Sequence, residues 1–208
     1  MKGIIKGKKA YIYDKQVNTS KRTNQYNSFL KRNVVGDNLV IADFGCGTGI
    51  SFPSIINKCK ILYGIDGSKE MINICKEKYN SSKCTKKIKL ILSDLSNTRI
   101  KKESCDLVII RMTLHHLRNK KHVINEAHRI LKSQGKLLVI DTFRHRNILI
   151  TYLLDIKRNY EMGMELFQHN YCTLNEFTSI IKNKFKIINI NSQIKNFYTK
   201  ANIILIKM

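Results

Sequence analysis

The ten residues Val40-Ile41-Ala42-Asp43-Phe44-Gly45-Cys46-Gly47-Thr48-Gly49 constrain this chain more than any others. A continuous apolar run is what a strand buried on both faces requires. This one ends in a carboxylate and then meets glycine at every second position. Glycine is needed where backbone takes positive φ or where a ligand lies against the main chain. The segment therefore reads as strand, tight turn and the start of a helix that carries Pro53 in its first turn. Two phosphate-binding signatures fail here. The dinucleotide fingerprint G-x-G-x-x-G would need glycine at Ile50, and no Gly-Lys-Ser or Gly-Lys-Thr follows for a P-loop.

Short apolar runs then alternate with amphipathic ones. Ile61-Leu62-Tyr63-Gly64-Ile65, Ile88 to Leu92, Asp106 to Ile110 and Lys136 to Ile140 read as further strands. Ser68 to Tyr79 places Met71, Ile72, Cys75 and Tyr79 on one helical face, with Ser68 as N-cap and Glu70 in the first turn. Lys120 to Leu131 is a second such helix, and Gly135 suits a left-handed turn beyond its end. Thr19 to Val35 reads as an N-terminal helix with Tyr26, Phe29 and Leu30 at helical spacing. Strands separated by helices at this rhythm call for βαβ units and a parallel sheet. Thr173-Leu174-Asn175-Glu176 is a capping box opening a helix through Ile181. Phe185 to Ile190 and Ala201 to Lys207 close the chain as a hairpin.

Taken together, Asp43 to Gly49 and the elements after it resemble the class I S-adenosylmethionine-dependent methyltransferases, in the branch that methylates small molecules and includes the UbiE-like enzymes. Tyr63-Gly64-Ile65-Asp66 resembles that family's second strand, and Asp66 stands 23 positions after Asp43, near the roughly 20-residue offset of a ribose-binding acid. Leu92-Ser93-Asp94-Leu95, Cys105 to Arg111, Thr113-Leu114-His115-His116-Leu117 and Arg129 to Leu137 match the following elements in order. The resemblance covers about residues 38 to 141. It implies a Rossmann-like α/β fold with a seven-stranded, mostly parallel sheet in the order 3-2-1-4-5-7-6, strand seven antiparallel, helices on both faces and a small helical cap. One domain is expected: an N-terminal lid over 1–36, a cofactor core over 37–141, a cap over 142–172, and a C-terminal helix and hairpin over 173–208.

The same resemblance implies S-adenosyl-L-methionine as cofactor and S-adenosyl-L-homocysteine as product. Its site would comprise Asp43, Gly45, Cys46, Gly47, Gly49, Asp66, Gly67, Met71, Asp94, Leu95 and Arg111, with Tyr13 of the Tyr13-Asp14 pair from the lid. Backbone N–H groups over Gly45 to Gly49 suit the methionine carboxylate, and one carboxylate at Asp66 can accept both ribose hydroxyls. Aligning an acceptor atom with the methyl group is then mainly an orientation problem.

For the acceptor, absences speak first. Pro53 is the only proline, which excludes the Asn-Pro-Pro-Tyr and Pro-Cys motifs of most nucleic-acid base methylation. Leu114-His115-His116-Leu117 resembles the small-molecule branch. His115 or His116 is the candidate base, since an imidazole titrates near neutrality. Tyr26, His116, Tyr152, Tyr160 and His169 are the candidate substrate contacts. The adjacent histidines lack a third ligand at usable spacing, so no metal is expected.

The formal net charge of +23 is the counter-signal. It suits an RNA-methylating enzyme as the second reading, and a non-catalytic cofactor-binding scaffold is the third. The basic pairs Lys8-Lys9, Lys86-Lys87, Lys101-Lys102 and Lys120-Lys121 are scattered, however, and the chain is rich in Lys, Ile and Asn, which AT-rich codons spell. Six cysteines with no C-x-x-C spacing, a charged N-terminus and no long apolar stretch point to free thiols in a cytoplasmic protein. Oligomeric state is left open.

Overall fold

The computed structural model describes residues 10–12, 14–15, 21–80, 85–144, 170–195 and 198–208. Seven strands form one sheet: β1 (Leu39–Phe44), β2 (Cys59–Asp66), β3 (Ile88–Leu92), β4 (Cys105–Arg111), β5 (Leu131–Arg144), β6 (Phe185–Lys195) and β7 (Tyr198–Lys207). Their order is β3-β2-β1-β4-β5-β7-β6. The first five strands pair in parallel, and β7 runs antiparallel to both β5 and β6. The expected order and the reversed strand both stand.

Among the described residues, α1 (Lys21–Asn33), α2 (Lys69–Tyr79), α3 (Lys120–Ile130) and α4 (Leu174–Ile181) accompany the sheet. Side chains alternate across a strand, and the core divides accordingly. Ala42, Phe44, Val108, Ile110, Leu137 and Val139 join Ile124, Ala127 and Ile130 of α3 and Phe177 and Ile181 of α4 in one cluster. Ile41, Leu107, Ile109, Leu138 and Ile140 join Leu30 of α1, Cys75 of α2 and Phe52 from the segment after the glycines in the other. Each fully buried side chain of this kind contributes roughly 1.5–3 kcal/mol. By the same alternation Asp43 belongs with Ile41 on the α1 side, and Asp141 belongs with Leu137 and Val139 on the α3 side.

Helix caps follow the sequence. The Ser68 hydroxyl accepts from the Met71 N–H at the head of α2. Thr173 and Glu176 complete the capping box of α4.

Three expectations need correction. Past the glycines there is no α-helix, only two 3-10 turns, Phe52–Ser54 and Ile56–Lys58. Ser51, Pro53, Ser54 and Asn57 are poor helix formers, and Ile50, Ile55 and Ile56 are β-branched, so this short connection gains little from a helix. Gly135 does not take the left-handed turn. Gln134 does, at φ 59, and Gly135 is needed for space, because a Cβ there would lie 2.9 Å from the Lys132 carbonyl oxygen. Residues 142–144, expected in the cap, still belong to β5 and pair with β7. The rest of the expected cap, 145–169, lies outside the described residues, as do Tyr13, Tyr152, Tyr160, His169 and Cys84. Cys46, Cys59, Cys75, Cys105 and Cys172 are free thiols. Among the described residues, no helix is long and apolar enough to cross a membrane.

Candidate active site at the carboxyl ends of the strands

In an open parallel sheet the crevice lies where the strand order reverses, beyond the carboxyl ends of the strands. Here that point falls between β1 and β4. Asp43, Asp66, Arg111 and Asp141 all stand at or near these strand ends.

The glycine turn is folded back on β2. The Gly45 and Cys46 N–H groups donate to the Ile65 carbonyl at 2.8 and 3.0 Å, and the Gly49 N–H to Cys46 at 3.0 Å. The Gly47 N–H donates to Asp66 Oδ2 at 2.9 Å. These four amides, expected to face an anion, are engaged inside the protein instead. The reason is the tightness of the turn: Gly45, Gly47 and Gly49 all take positive φ. Gly45 also has no room for a side chain, since a Cβ would lie 2.3 Å from Thr113 Oγ1. A Cβ on Gly47 would meet nothing within 4 Å, so the turn presents open space at that residue.

Asp66 braces this turn from below. Its Oδ1 accepts from the Ser68 N–H at 2.8 Å while Oδ2 holds Gly47. Burial raises its carboxyl above the usual range, and the backbone amides of Ser68, Gly47 and Gly67 oppose that rise. Oδ1 holds the Ser68 amide and Oδ2 the Gly47 amide, and a carboxylate oxygen has room for two donors.

Asp43 is the anomaly. It is 1% exposed, and neither carboxylate oxygen has a hydrogen-bond partner. The Ser51 hydroxyl is close enough to lower its pKa. Burial pushes its pKa up to about 7, against the nearby Arg111 cation and with a smaller upward push from Asp66. A buried carboxylate without a donor is costly, so this residue awaits a partner. Cys46 is buried beside it, its thiol pushed well above its ordinary value by the adjacent Cys75 thiol and by burial.

On the other face Asp141 is fully engaged. Its Oδ2 accepts from the Thr113 N–H at 3.0 Å and the Leu114 N–H at 2.7 Å. Its Oδ1 accepts from the Thr142 N–H at 2.7 Å and stands 2.6 Å from His115 Nδ1. Burial pushes its pKa upward, but His115 and the backbone amides outweigh that and hold it below the usual value. Leu114–His116 is a 3-10 turn hung from this carboxylate. The His115 ring stacks on Tyr171 at 5.3 Å between centroids and meets His116 at 4.0 Å. Met112, just before, takes φ 51. A positive φ at a non-glycine residue is strain of the kind that collects at functional sites.

The remaining candidates divide. Met71 is buried with Ala10 and Ile74, so Ala10 packs on α2. Asp14 accepts from the Thr48 hydroxyl of the glycine turn and from Lys78 of α2. Asp94 is exposed and caps its own turn, accepting from the Ser96 N–H at 2.8 Å and the Ser96 hydroxyl at 2.7 Å, which lowers its pKa. Leu95 is buried in the α3-side core. Tyr26, a candidate substrate contact, belongs to the α1-side core cluster. Sequence reasoning missed Asp141, Thr48 and Thr113. Asp141 carried a legible signal: Leu137-Leu138-Val139-Ile140-Asp141 ends an apolar strand in an acid, as Val40 to Asp43 and Tyr63 to Asp66 do. Among the described residues, no group of three metal-ligating side chains comes together.

Residues 42–139 match the family model described as a methyltransferase domain. An uncharacterised methyltransferase of Schizosaccharomyces pombe is 31% identical over 124 residues, covering 57% of this chain and 42% of that protein. A ubiquinone/menaquinone biosynthesis C-methyltransferase, UbiE of Wigglesworthia glossinidia brevipalpis, is 26% identical over 68% of this chain and 59% of its own length. The chain spans about half the length of the curated relatives it matches. The crystal structure of YcgJ from Bacillus subtilis superposes with a TM-score of 0.75 at 14% identity, over 88% of this chain and 98% of that one. Geranyl diphosphate C-methyltransferase of Streptomyces coelicolor A3(2), solved with S-adenosyl-L-homocysteine, gives 0.75 at 11% identity, over 89% and 77%.

Proposed function

Starting from a chain that carries a methyltransferase domain of the class I fold, we propose that it transfers a methyl group from S-adenosyl-L-methionine to an oxygen, nitrogen or carbon atom of a small molecule. The observation that carries this reading is Asp43: a wholly buried carboxyl beside the glycine turn with no donor of its own. The cofactor carries two cationic centres, an ammonium and a sulfonium, beside its carboxylate, so it brings what Asp43 lacks. Asp66 retains acceptor capacity for ribose hydroxyls, and the open space at Gly47 gives the ligand room.

When bound, the cofactor supplies an electrophilic methyl group. The protein's part is orientation and proton removal. Asp43 and Arg111 set the charge under the turn, and Asp66 holds the turn's shape. Asp14 fastens the N-terminal segment to Thr48. His115 is the base for an acceptor that must lose a proton. Asp141 fixes the ring through Nδ1, which leaves Nε2 as the basic nitrogen. The C-methylating and O-methylating relatives, UbiE and a malonyl-[acyl-carrier protein] O-methyltransferase of Ilyobacter polytropus, support a small or carrier-bound acceptor.

Equilibrium binding of tritiated S-adenosylmethionine to wild type and Asp66→Ala tests the reading. Hydrogen bonds to a charged group are worth roughly 1.5–3 kcal/mol, so the variant should bind about ten- to a hundredfold more weakly. No binding by folded wild type sinks it. The charge of +23 favours an RNA acceptor as the second reading. Affinity for tRNA that falls steeply with salt, together with label transfer to it, would favour that reading.

A further inference from the structure

We propose that Asp43 is a proton-linked receptor for the cofactor's positive charge: the ligand-free site holds a carboxylic acid, which releases its proton to solvent when the cation arrives. The inference rests on the cofactor assignment above and extends it to the protonation state of one residue.

The geometry is the ground for it. Both oxygens of Asp43 are buried and neither receives a hydrogen bond. Among the described residues it makes no ion pair. An isolated carboxylate in such a place sheds its charge by keeping its proton. The groups that face it come from every neighbouring element. Arg111 of β4 and Asp66 of β2 act on it with opposite sign, and the Ser51 hydroxyl follows the turn. Cys46 on the turn and Tyr79 on α2 also feel its charge. Both of these are neutral near pH 7, because the Cys46 thiol is pushed well up beside Cys75 and burial raises the Tyr79 hydroxyl. Arg111 and the Ser51 hydroxyl pull the value down, Asp66 adds a smaller push up, and desolvation outweighs them. Burial pushes the carboxyl up to about 7, so the acid form is present in the ligand-free protein at neutral pH.

A cation placed against Asp43 reverses the preference. The O–H bond of the acid breaks, the proton passes to the buffer, and the carboxylate pairs with the ligand. No electron changes hands. Affinity is then lower at acid pH, where the proton must first be displaced.

Isothermal titration of S-adenosylmethionine into the protein, in buffers of different ionisation enthalpy, counts the protons. At pH 7 about half a proton should be released per ligand bound by a group titrating at about 7. The dissociation constant should rise about fivefold from pH 7 to pH 6. Asp43→Asn keeps the shape and removes the proton, so the difference between the two proteins isolates Asp43 from the ligand's own amino group. S-adenosylhomocysteine has the ammonium without the sulfonium, and 5′-methylthioadenosine has neither. Release with both charged ligands assigns the ammonium, and release with S-adenosylmethionine alone assigns the sulfonium. Equal release in wild type and variant, or equal release with methylthioadenosine, overturns the proposal while leaving the cofactor assignment intact. Difference infrared spectra of the ligand-free proteins give a check that needs no binding. A protonated-carboxyl band present in wild type, absent in Asp43→Asn, and lost with a midpoint near pH 7 is expected. Its absence at pH 6 overturns the proposal.

Discussion

Asp141 Oδ1 lies 2.6 Å from His115 Nδ1, and both side chains are buried. The same carboxylate holds the N–H groups of Thr113, Leu114 and Thr142. One residue near the carboxyl end of β5 thus shapes the turn after β4 and orients the imidazole within it.

Asp141→Asn should therefore destabilise the fold by about 2–4 kcal/mol, because an amide N–H₂ would face backbone donors in a buried place. Urea denaturation against pH gives the sign. The folded Asp141 titrates below its unfolded value of 3.8, so its contribution is present above that pH and lost as pH falls through the lower folded value. If His115 is the base, turnover on an identified acceptor should drop more than about tenfold, with cofactor affinity little changed.

Asp43 predicts the opposite pH trend. Its folded pKa of about 7 stands above the unfolded 3.8. Its contribution is fully favourable below 3.8 and is lost as pH rises through about 7. The ligand-free wild type should lose stability between pH 4 and pH 8 relative to Asp43→Asn, by at most about 4 kcal/mol. Thermal unfolding of both proteins across that range, without ligand, measures the gap, and parallel curves would contradict it.

Gly45→Ala and Gly47→Ala should separate folding from binding. At Gly45 the new Cβ would lie 2.3–2.9 Å from three Thr113 side-chain atoms at φ +72, so both strain and overlap oppose it, and soluble yield should fall sharply. At Gly47 the space is open and only the φ of +54 is unfavourable, a cost of about 1–2 kcal/mol. That variant should fold yet bind tritiated S-adenosylmethionine at least tenfold more weakly, because its methyl enters the space assigned to the ligand.

Asp14 joins Thr48 and Lys78 across the N-terminal segment, the glycine turn and α2. Such partly exposed pairs stabilise by about 1 kcal/mol or less, so Asp14→Ala should leave the melting temperature nearly unchanged. The dissociation rate of bound cofactor should rise several-fold in stopped-flow displacement if this contact keeps the segment over the turn. An unchanged rate would remove that role.

Much of this was legible before folding. The apolar runs from Leu39, Ile61, Ile88, Asp106 and Lys136 are strands, and the Ser68 and Thr173 caps stand where the sequence put them. Asp43, Asp66 and the three glycines were identifiable because their pattern is local and their spacing is set by strand, turn and strand. Other features were not local. The helix expected past Gly49 is replaced by 3-10 turns that lay Phe52 against Gly64, where a Cβ would come within 2.7 Å of it. Tyr26, read as a substrate contact, packs with the α1-side core.

The sequence by itself determined the strand rhythm, the sheet class and the carboxylates at the strand ends, because hydrophobic periodicity and backbone conformational limits act between near neighbours. The tertiary structure alone decided what those carboxylates are for. Asp43 and Asp141 each end an apolar run and read alike on the page. Pairing β1 and β5 on either side of β4 sends their side chains to opposite faces. One then meets four donors and stays ionised, while the other meets none and keeps its proton up to about pH 7. Solvation and partner geometry set that difference, and both arise only when distant segments come together.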